Sequence, residues 1–304
     1  MNWTSTVVDI QKMQNSSYHL ALVGAEKNHF SASAVVVVDL RSSELLIGVE
    51  IQPTPWPWVS MAQKCAGNDL ILTGANFMHH TWNNGALVEH PQEIFFRSGR
   101  LWRASDDWAS YCGGDRVVSI TPKFTKEDVL KYHPRISHMH GLHSNFKVLV
   151  GSSGLLMINR GNGWSWVRDV PTASDFVDVF CVSENEIYLS GGNGGVFRWN
   201  GSSDWWRYDT EPNLYMSELC TYKGVIYIAS LNSKAYRLAG DFAELISESL
   251  VAGRFSTDGE LLFGLGQQEK FEIFNGRDWT ICELDLYKVF SLELETMYAA
   301  ADTP

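Results

Sequence analysis

Apolar and polar residues alternate with the two-residue period of β-strands through most of the chain. Two segments show the pattern best: KVLVGSSGLLMINRGNGWSWVRDVP (Lys147 to Pro171) and EIYLSGGNGGVFRWNGSSDWWRYDTEP (Glu186 to Pro212). Each has an apolar strand, a Gly/Ser turn, a second apolar strand, a turn with Asn and Gly, and a third strand that contains Trp. Repeats of this kind predict an all-β protein built from equivalent units.

Two weaker copies follow at Val225 to Ser249 and Glu260 to Leu284, and one more alternating strand precedes every copy. Four short strands therefore recur every 35 to 41 residues. This period is typical of a β-propeller, in which four-stranded blades surround a central channel. We predict about seven blades, with roughly six as the alternative, in a single domain that spans residues 1–304.

The two ends of the chain indicate how such a ring would close. Tyr18 to Ile51 reads as a set of strands, and Trp58 to Phe77 matches the first two strands of the unit. Lys288 to Asp302 resembles the first two strands of a further unit. Strands from both ends that share one blade would close the ring and protect its sheet edges. We therefore predict closure by N- and C-terminal strands.

One segment departs from the strand pattern. TKEDVLKYH (Thr125 to His133) has the arrangement of a capping box, with Thr125 as the cap and Asp128 three residues later. We predict a short helix at this position, inserted between two blades.

Three turns carry a more specific likeness: GNGW (Gly161 to Trp164), NGSSDW (Asn200 to Trp205) and NGRDW (Asn275 to Trp279). They resemble the hairpin turns of β-propellers in the Asp-box and kelch-like classes. The complete Asp-box pattern and the Gly-His and Trp-Asp signatures of WD repeats are absent from the sequence. The resemblance therefore implies the β-propeller repeat superfamily and no specific protein within it.

The chain carries 35 acidic and 24 basic residues, which gives a formal net charge of -11. Such a surface repels phosphate, which disfavours nucleic acid and anionic membranes as partners, and it attracts a basic protein. The N-terminal residues have no signal-peptide pattern, and the longest apolar run, Ala34 to Val38, is too short to span a bilayer. We therefore expect a cytoplasmic monomer whose partner is another, basic protein.

Motifs for covalent catalysis are absent from the sequence. There is no G-x-S-x-G elbow, and the five cysteines form no C-x-x-C pair. We predict that the protein is not an enzyme and holds no cofactor and no metal. Paired carboxylates would be needed for glycoside hydrolysis, and the candidates for such a pair are Asp106, Asp107, Asp115, Asp175 and Asp178.

His138 and His140 are the sharpest local feature, because two histidines spaced by one residue share a face of a strand. Imidazoles placed in this way could bind zinc or copper. The other interpretation is that both side chains line the central channel and belong to a binding surface.

Tryptophans at or near turns complete the set of candidate binding residues. Exposed at one mouth of the ring, they would act as hot spots for a protein partner or stack on sugar rings. Packed between blades, they would be structural, since Trp is highly buried on average. The residues are Trp56, Trp58, Trp164, Trp166, Trp199, Trp205 and Trp206.

These observations predict a non-catalytic scaffold for protein–protein interaction. A specific version of this hypothesis is a bacterial immunity protein that binds and neutralises a toxin. The alternative is a carbohydrate-binding or carbohydrate-cleaving propeller, and a third hypothesis is a metal-dependent enzyme that uses the His-rich strand.

Overall fold

The computed structural model describes most of the chain between residues 4 and 283. The described residues are 4–12, 18–27, 30–39, 58–63, 70–74, 79–83, 86–90, 100–103, 109–113, 115–120, 125–130, 135–248, 253–257, 259–265 and 270–283. Within them, every element is a β-strand except one turn of 3-10 helix, Ser152–Gly154. No helix in this part of the chain is long and apolar enough to cross a membrane.

The strands are short and follow one another closely. In the first part of the chain they are β1 Thr4–Lys12, β2 Tyr18–Lys27, β3 Phe30–Asp39, β4 Trp58–Gln63, β5 Leu70–Gly74, β6 His79–Asn83, β7 Ala86–His90, β8 Arg100–Arg103, β9 Ala109–Gly113, β10 Arg116–Ile120 and β11 Thr125–Val129. In the second part they are β12 Ile136–His143, β13 Phe146–Gly151, β14 Leu156–Asn159, β15 Trp164–Trp166, β16 Phe176–Ser183, β17 Glu186–Gly191, β18 Val196–Trp199, β19 Trp205–Arg207, β20 Met216–Tyr222, β21 Val225–Ser230, β22 Ala235–Ala239, β23 Phe242–Ser247, β24 Arg254–Thr257, β25 Leu262–Leu265, β26 Lys270–Phe274 and β27 Trp279–Glu283.

Each strand pairs antiparallel with the strand that follows it within the same sheet. Among the described residues they form one three-stranded and six four-stranded sheets, which we number from the N-terminus. Sheet 1 is β1–β3, sheet 2 is β4–β7, sheet 3 is β8–β11, sheet 4 is β12–β15, sheet 5 is β16–β19, sheet 6 is β20–β23 and sheet 7 is β24–β27. The prediction of an all-β chain built from four-stranded units is thereby confirmed.

The first strand of each sheet lies against the first strand of the next sheet, from β1 and β4 to β20 and β24. β24 also contacts β1. The first strands are therefore innermost, and the fourth strands form the outer edges of the sheets. Residues 40–51 of the predicted N-terminal strand set and the segment Lys288 to Asp302, which was predicted to help close the ring, lie outside the described residues.

The hydrophobic core lies between neighbouring sheets rather than within any one of them. One cluster combines Val148 and Leu156 of sheet 4 with Phe176 and Phe197 of sheet 5. Equivalent clusters join sheets 3 and 4, sheets 5 and 6, and sheets 6 and 7. Because a central strand is covered on both faces, it has no polar alternation, and all six residues of β13 are buried.

The turn between the second and third strands of a sheet uses left-handed backbone. In sheet 5 this turn contains Asn193 (φ 57°) and Gly194 (φ 66°). A Cβ atom at Gly194 would lie 2.5 Å from the carbonyl oxygen of Glu211, so glycine alone fits there. The Gly-rich segment of the sequence is therefore a tight turn, as its composition predicts.

The predicted helix at Thr125 to His133 is wrong. Residues Thr125–Val129 form β11, which pairs with β10 from Ile120 opposite Thr125 to Arg116 opposite Val129. A single helical turn is costly to nucleate, whereas the edge of sheet 3 offers a complete set of backbone partners. The capping-box pattern was therefore outweighed by strand pairing.

Candidate functional site

Four polar side chains occupy the same position on the innermost strands of sheets 4 to 7. In each case the residue pairs across the sheet with the equivalent residue of the second strand. The four are His138, Asp178, Glu218 and Arg254, which lie opposite Val150, Ser190, Ala229 and Leu265. We call this set the polar row.

Members of the polar row reach from one sheet to the next. His138 Nδ1 is in direct contact with Asp178 Oδ1, and the backbone N–H of Leu219 donates to Asp178 Oδ2 at 2.5 Å. Arg254 Nε donates to Glu218 Oε2 at 3.4 Å. An innermost strand has no neighbour on its inner side, so its backbone N–H groups need side chains or water as partners. Asp178 supplies one such partner to β20.

His140 lies two residues further along β12 and serves the same purpose. The backbone N–H of Cys181 donates to His140 Nδ1 at 3.1 Å, and the imidazole packs on Phe180 with ring centroids 4.5 Å apart. Burial, helped by the neighbouring His138, lowers the pKa of His140 to about 3. The imidazole therefore stays neutral and remains a hydrogen-bond acceptor.

The two histidines do share one face of β12, since both contact sheet 5. The Nδ1 atom of each ring contacts a group of sheet 5 and is therefore occupied by the protein itself. In the described part of the chain, no group of three or more His, Cys, Asp or Glu side chains is placed to hold a metal ion.

The carboxylates considered for glycoside cleavage are engaged in structural contacts where they are described. Asp175 Oδ1 accepts from the backbone N–H of Ser153 at 2.8 Å, and Asp178 is held as above. Asp115 is exposed beside Arg116, while Asp106 and Asp107 lie outside the described residues. The thiols of Cys181 and Cys220 are buried, and burial raises the pKa of both.

The polar row is buried at its centre and opens towards sheet 7. The side chain of Asp178 is 1% exposed, that of Glu218 is 12% exposed and that of Arg254 is 34% exposed. A partner molecule could therefore reach the Glu218–Arg254 end without disturbing the buried pair of His138 and Asp178.

Two exposed apolar side chains lie beside this end. Tyr215 precedes β20 and is 39% exposed, and Leu231 follows β21 and is 61% exposed. The backbone N–H of Leu231 donates to the carbonyl oxygen of Tyr215 at 3.0 Å. We call these two residues the apolar pair. They lie at the entrance edge, which we define as the edge where the innermost strands of sheets 4 to 7 begin.

The equivalent positions of the two preceding sheets are not apolar. The same backbone hydrogen bond joins Ser152 to Arg135 in sheet 4 and Gly192 to Asp175 in sheet 5. Sheet 6 alone among these three therefore places a large apolar pair in solvent at the entrance edge.

Gly253 brings the apolar pair next to the polar row. A Cβ atom at Gly253 would lie 3.2 Å from Leu231 Cδ2, so Leu231 rests against the start of sheet 7. Ser217 Oγ donates to the carbonyl oxygen of Gly253 at 2.6 Å, which fixes this approach. Arg254 is the next residue, and the apolar and charged groups are therefore continuous.

The tryptophans predicted to form the binding surface divide into buried and exposed residues. Trp199 is 1% exposed, its indole N–H donates to the carbonyl of Ser202 at 3.0 Å, and Trp205 stacks on it with centroids 5.5 Å apart. The prediction that Trp199 contacts a partner is wrong, because its ring lies between sheets 4 and 5. Trp164 likewise packs partly buried against the core between sheets 3 and 4.

Trp166 and Trp206 are 42% and 46% exposed. They lie in β15 and β19, the outermost strands of sheets 4 and 5, whereas the polar row lies on the innermost strands. The guanidinium of Arg198 covers the Trp206 ring at 5.2 Å. Trp56 lies outside the described residues, and so does the side chain of Trp58, which begins β4.

Sequence reasoning missed Tyr215, Leu231, Glu218 and Arg254. The signal that could have found them is the repeat itself. Aligning sheets 4 to 6 by the polar row compares Arg135, Asp175 and Tyr215 at one position, and the aromatic residue is the exception. Its exposure, however, depends on how the sheets pack.

Comparisons with known proteins support the fold. No family model matches the chain, and no curated protein is significantly similar to it. Solved structures do match: the computationally designed Ika8 protein has a TM-score of 0.60 at 11% identity and covers 92% of this chain and 96% of its own. U3-55K has a TM-score of 0.60 at 12% identity, with 87% and 89% covered. YCF48 bound to D1 peptide has a TM-score of 0.59 at 11% identity, with 78% and 88% covered.

These similar structures are β-propellers. The chain has a β-propeller fold. In a propeller the first strands of the blades face the central channel, and the polar row lies on the first strands of sheets 4 to 7. At this level of identity the likeness concerns the fold alone.

Proposed function

We propose that the chain is a non-catalytic scaffold that binds another protein at the entrance edge. The observation that carries this proposal is the apolar pair, Tyr215 and Leu231, beside the partly exposed pair of Glu218 and Arg254. An aromatic or aliphatic anchor next to charged groups that become desolvated is the usual composition of a binding hot spot. One similar propeller, YCF48, has been solved with a bound D1 peptide, which supports a peptide or protein ligand for this fold.

We also propose that the seven sheets of the described residues are seven blades of one closed ring. The contacts of β1 with both β4 and β24 support this arrangement, and so does the three-stranded sheet 1, which leaves a place for a C-terminal strand. A crystal structure with seven blades around one axis is expected, and a six-bladed ring would contradict the proposal.

A finer proposal is that the protein acts in the cytoplasm as a monomer that neutralises a toxin. The net charge of -11 supports a basic partner, because complementary charge speeds encounter and favours the correct partner. Affinity capture from the native host, followed by mass spectrometry, tests this idea. Recovery of a basic toxin-like protein whose toxicity is suppressed by co-expression is the expected result, and toxicity that is unaffected would contradict it.

Replacing both Tyr215 and Leu231 with serine should weaken partner binding by about 100-fold, because each hot-spot residue contributes roughly 1–2 kcal/mol. The captured partner is measured against the immobilised protein by biolayer interferometry. Trp206→Ser is the matched control, since it removes an aromatic side chain of similar exposure from the outer edge of sheet 5. Equal binding by wild type and the double variant would contradict the proposed site.

A carbohydrate ligand is the second candidate, and the exposed rings of Trp166 and Trp206 favour it, since both could stack on sugars. Its site would be the outer edges of sheets 4 and 5. A glycan array in which wild type binds and Trp166→Ser does not is the expected result for this function, and an array without hits would count against it.

A further inference from the structure

We propose that the partner places a basic side chain on Glu218, where it replaces Arg254, and an apolar side chain on Tyr215 and Leu231. This inference rests on the proposed function and names the chemistry of the ligand. The ligand would be a protein segment in which an arginine or lysine lies close to a large apolar residue.

Glu218 favours a cation more strongly than an exposed glutamate does. Its side chain is 12% exposed, and a carboxylate with so little access to water needs a close positive charge or several hydrogen bonds. The Nε of Arg254 contacts this carboxylate at 3.4 Å, which is at the long end of the hydrogen-bond range. By comparison, Arg237 Nε donates to Glu244 at 2.7 Å.

Arg254 is also placed to leave. Its side chain is 34% exposed, so it can swing into solvent at little cost in hydration. A partner's guanidinium could approach Glu218 end-on and form two parallel hydrogen bonds. That geometry is stronger than the side-on contact it would replace.

The two subsites are close enough for one short segment. Leu231 rests on Gly253, and the residue after Gly253 is Arg254. A side chain at position 253 would press on Leu231, whereas the glycine leaves the surface between the apolar pair and Glu218 uncovered. An extended segment places side chains on one face at every second residue, so neighbouring residues on that face can reach both subsites.

The charge of the whole chain agrees with this choice of ligand. The net charge of -11 disfavours an acidic segment, although Arg254 alone would attract one. An acidic ligand bound by Arg254 is therefore the alternative that the experiment must separate from a basic ligand bound by Glu218.

The test uses the full chain and a positional-scanning library of fluorescein-labelled hexapeptides with acetylated and amidated ends. Wild type is expected to select Arg or Lys at one position and Leu or an aromatic residue within two residues of it. Glu218→Gln should weaken binding of the Arg-containing pools by about 10-fold or more and leave the matching Gln-containing pools unchanged. Arg254→Met should strengthen binding of the Arg-containing pools about threefold or more, because the competing side chain is removed.

Glu184→Gln and Arg160→Met are the matched controls. Glu184 and Arg160 form an arginine–glutamate pair in the turns at the opposite edge of sheets 4 and 5, so their loss should not change the selection. Circular dichroism and thermal unfolding check that every variant is folded, and Glu218→Asp, which keeps the charge, should retain part of the Arg preference.

The possible results separate this inference from the proposed function. If the Tyr215→Ser, Leu231→Ser double variant abolishes binding but no basic residue is preferred, the inference fails and the proposed site stands. Selection of Asp or Glu that is lost in Arg254→Met would also overturn the inference. If no pool binds wild type, both the inference and the peptide-binding function at the entrance edge are overturned.

Discussion

Asp178→Ala should lower the free energy of unfolding by about 3 kcal/mol, because it removes a buried carboxylate that joins three blades. His138 of sheet 4 contacts one oxygen of Asp178, and the backbone N–H of Leu219 in sheet 6 donates to the other. Without the carboxylate, both partners lose their acceptor in a site that is almost closed to water. Urea denaturation followed by tryptophan fluorescence measures the change.

Two further variants make this prediction specific. Asp178→Asn keeps an acceptor for Leu219 but loses the negative charge opposite His138, so about half of the stability should return. Asp175→Ala is the control. Asp175 lies three residues before Asp178, is exposed, and accepts a hydrogen bond from the backbone N–H of Ser153. It should cost about 1 kcal/mol or less. An equal loss for Asp175→Ala and Asp178→Ala would contradict the assigned role.

The buried pair also matters for the proposed site. Asp178 binds the backbone of β20 at Leu219, and the residue before β20 is Tyr215, half of the apolar pair. This hydrogen bond fixes β20 to sheet 5 beside the entrance edge. A rigid surface of this kind loses little entropy on binding.

Much of the fold could be predicted from the sequence because short-range sequence features mark every repeat. Strand alternation, Gly-rich turns and Asn-containing turns recur in order, and each reflects short-range chemistry. The innermost strands of sheets 4 to 7 fall where the pattern predicts them. Thr125–Val129 shows the limit of such reasoning. Its local pattern favours a helix, but pairing with β10 stabilises it as a strand.

The candidate site was harder to predict because burial depends on how neighbouring sheets face one another. Trp199 and Trp206 both lie near one Asn-Gly turn, yet one is in the core and the other is exposed. Nothing in the order of residues distinguishes them. Asp178 likewise appears in the sequence only as one of five candidate carboxylates, although in the structure it joins sheet 5 to both neighbouring sheets.

Glu272 differs in residue type from the equivalent positions of the other repeats. Its replacement is expected to have the second large effect on stability. It lies in β26 opposite Gly264, at the position that other sheets fill with a large apolar residue. Those residues are Met157, Phe197 and Tyr236, which lie opposite Leu149, Leu189 and Ile228. Glu272 is 2% exposed, its Oε2 has no hydrogen-bond partner among the described residues, and burial raises its pKa to about 7.

Glu272→Gln should therefore stabilise the protein at pH 8 and leave its stability nearly unchanged at pH 4.5. A glutamate whose pKa is higher in the folded state is protonated there at low pH without penalty. As the pH rises from the unfolded value of about 4.5 through about 7, the folded state must bury a charge, and stability is lost. The expected gain for the glutamine variant at pH 8 is about 2–3 kcal/mol.

Urea denaturation of wild type and Glu272→Gln at several values between pH 4.5 and pH 8 follows this difference. Glu248→Gln is the control, since Glu248 is exposed and its replacement should add no such slope. A gap between the two proteins that stays constant with pH would show that Glu272 has the same pKa in the folded and unfolded states and would contradict the prediction. A gap that opens across this window would show that the blade tolerates Glu272 because the carboxyl is neutral when the core around it closes.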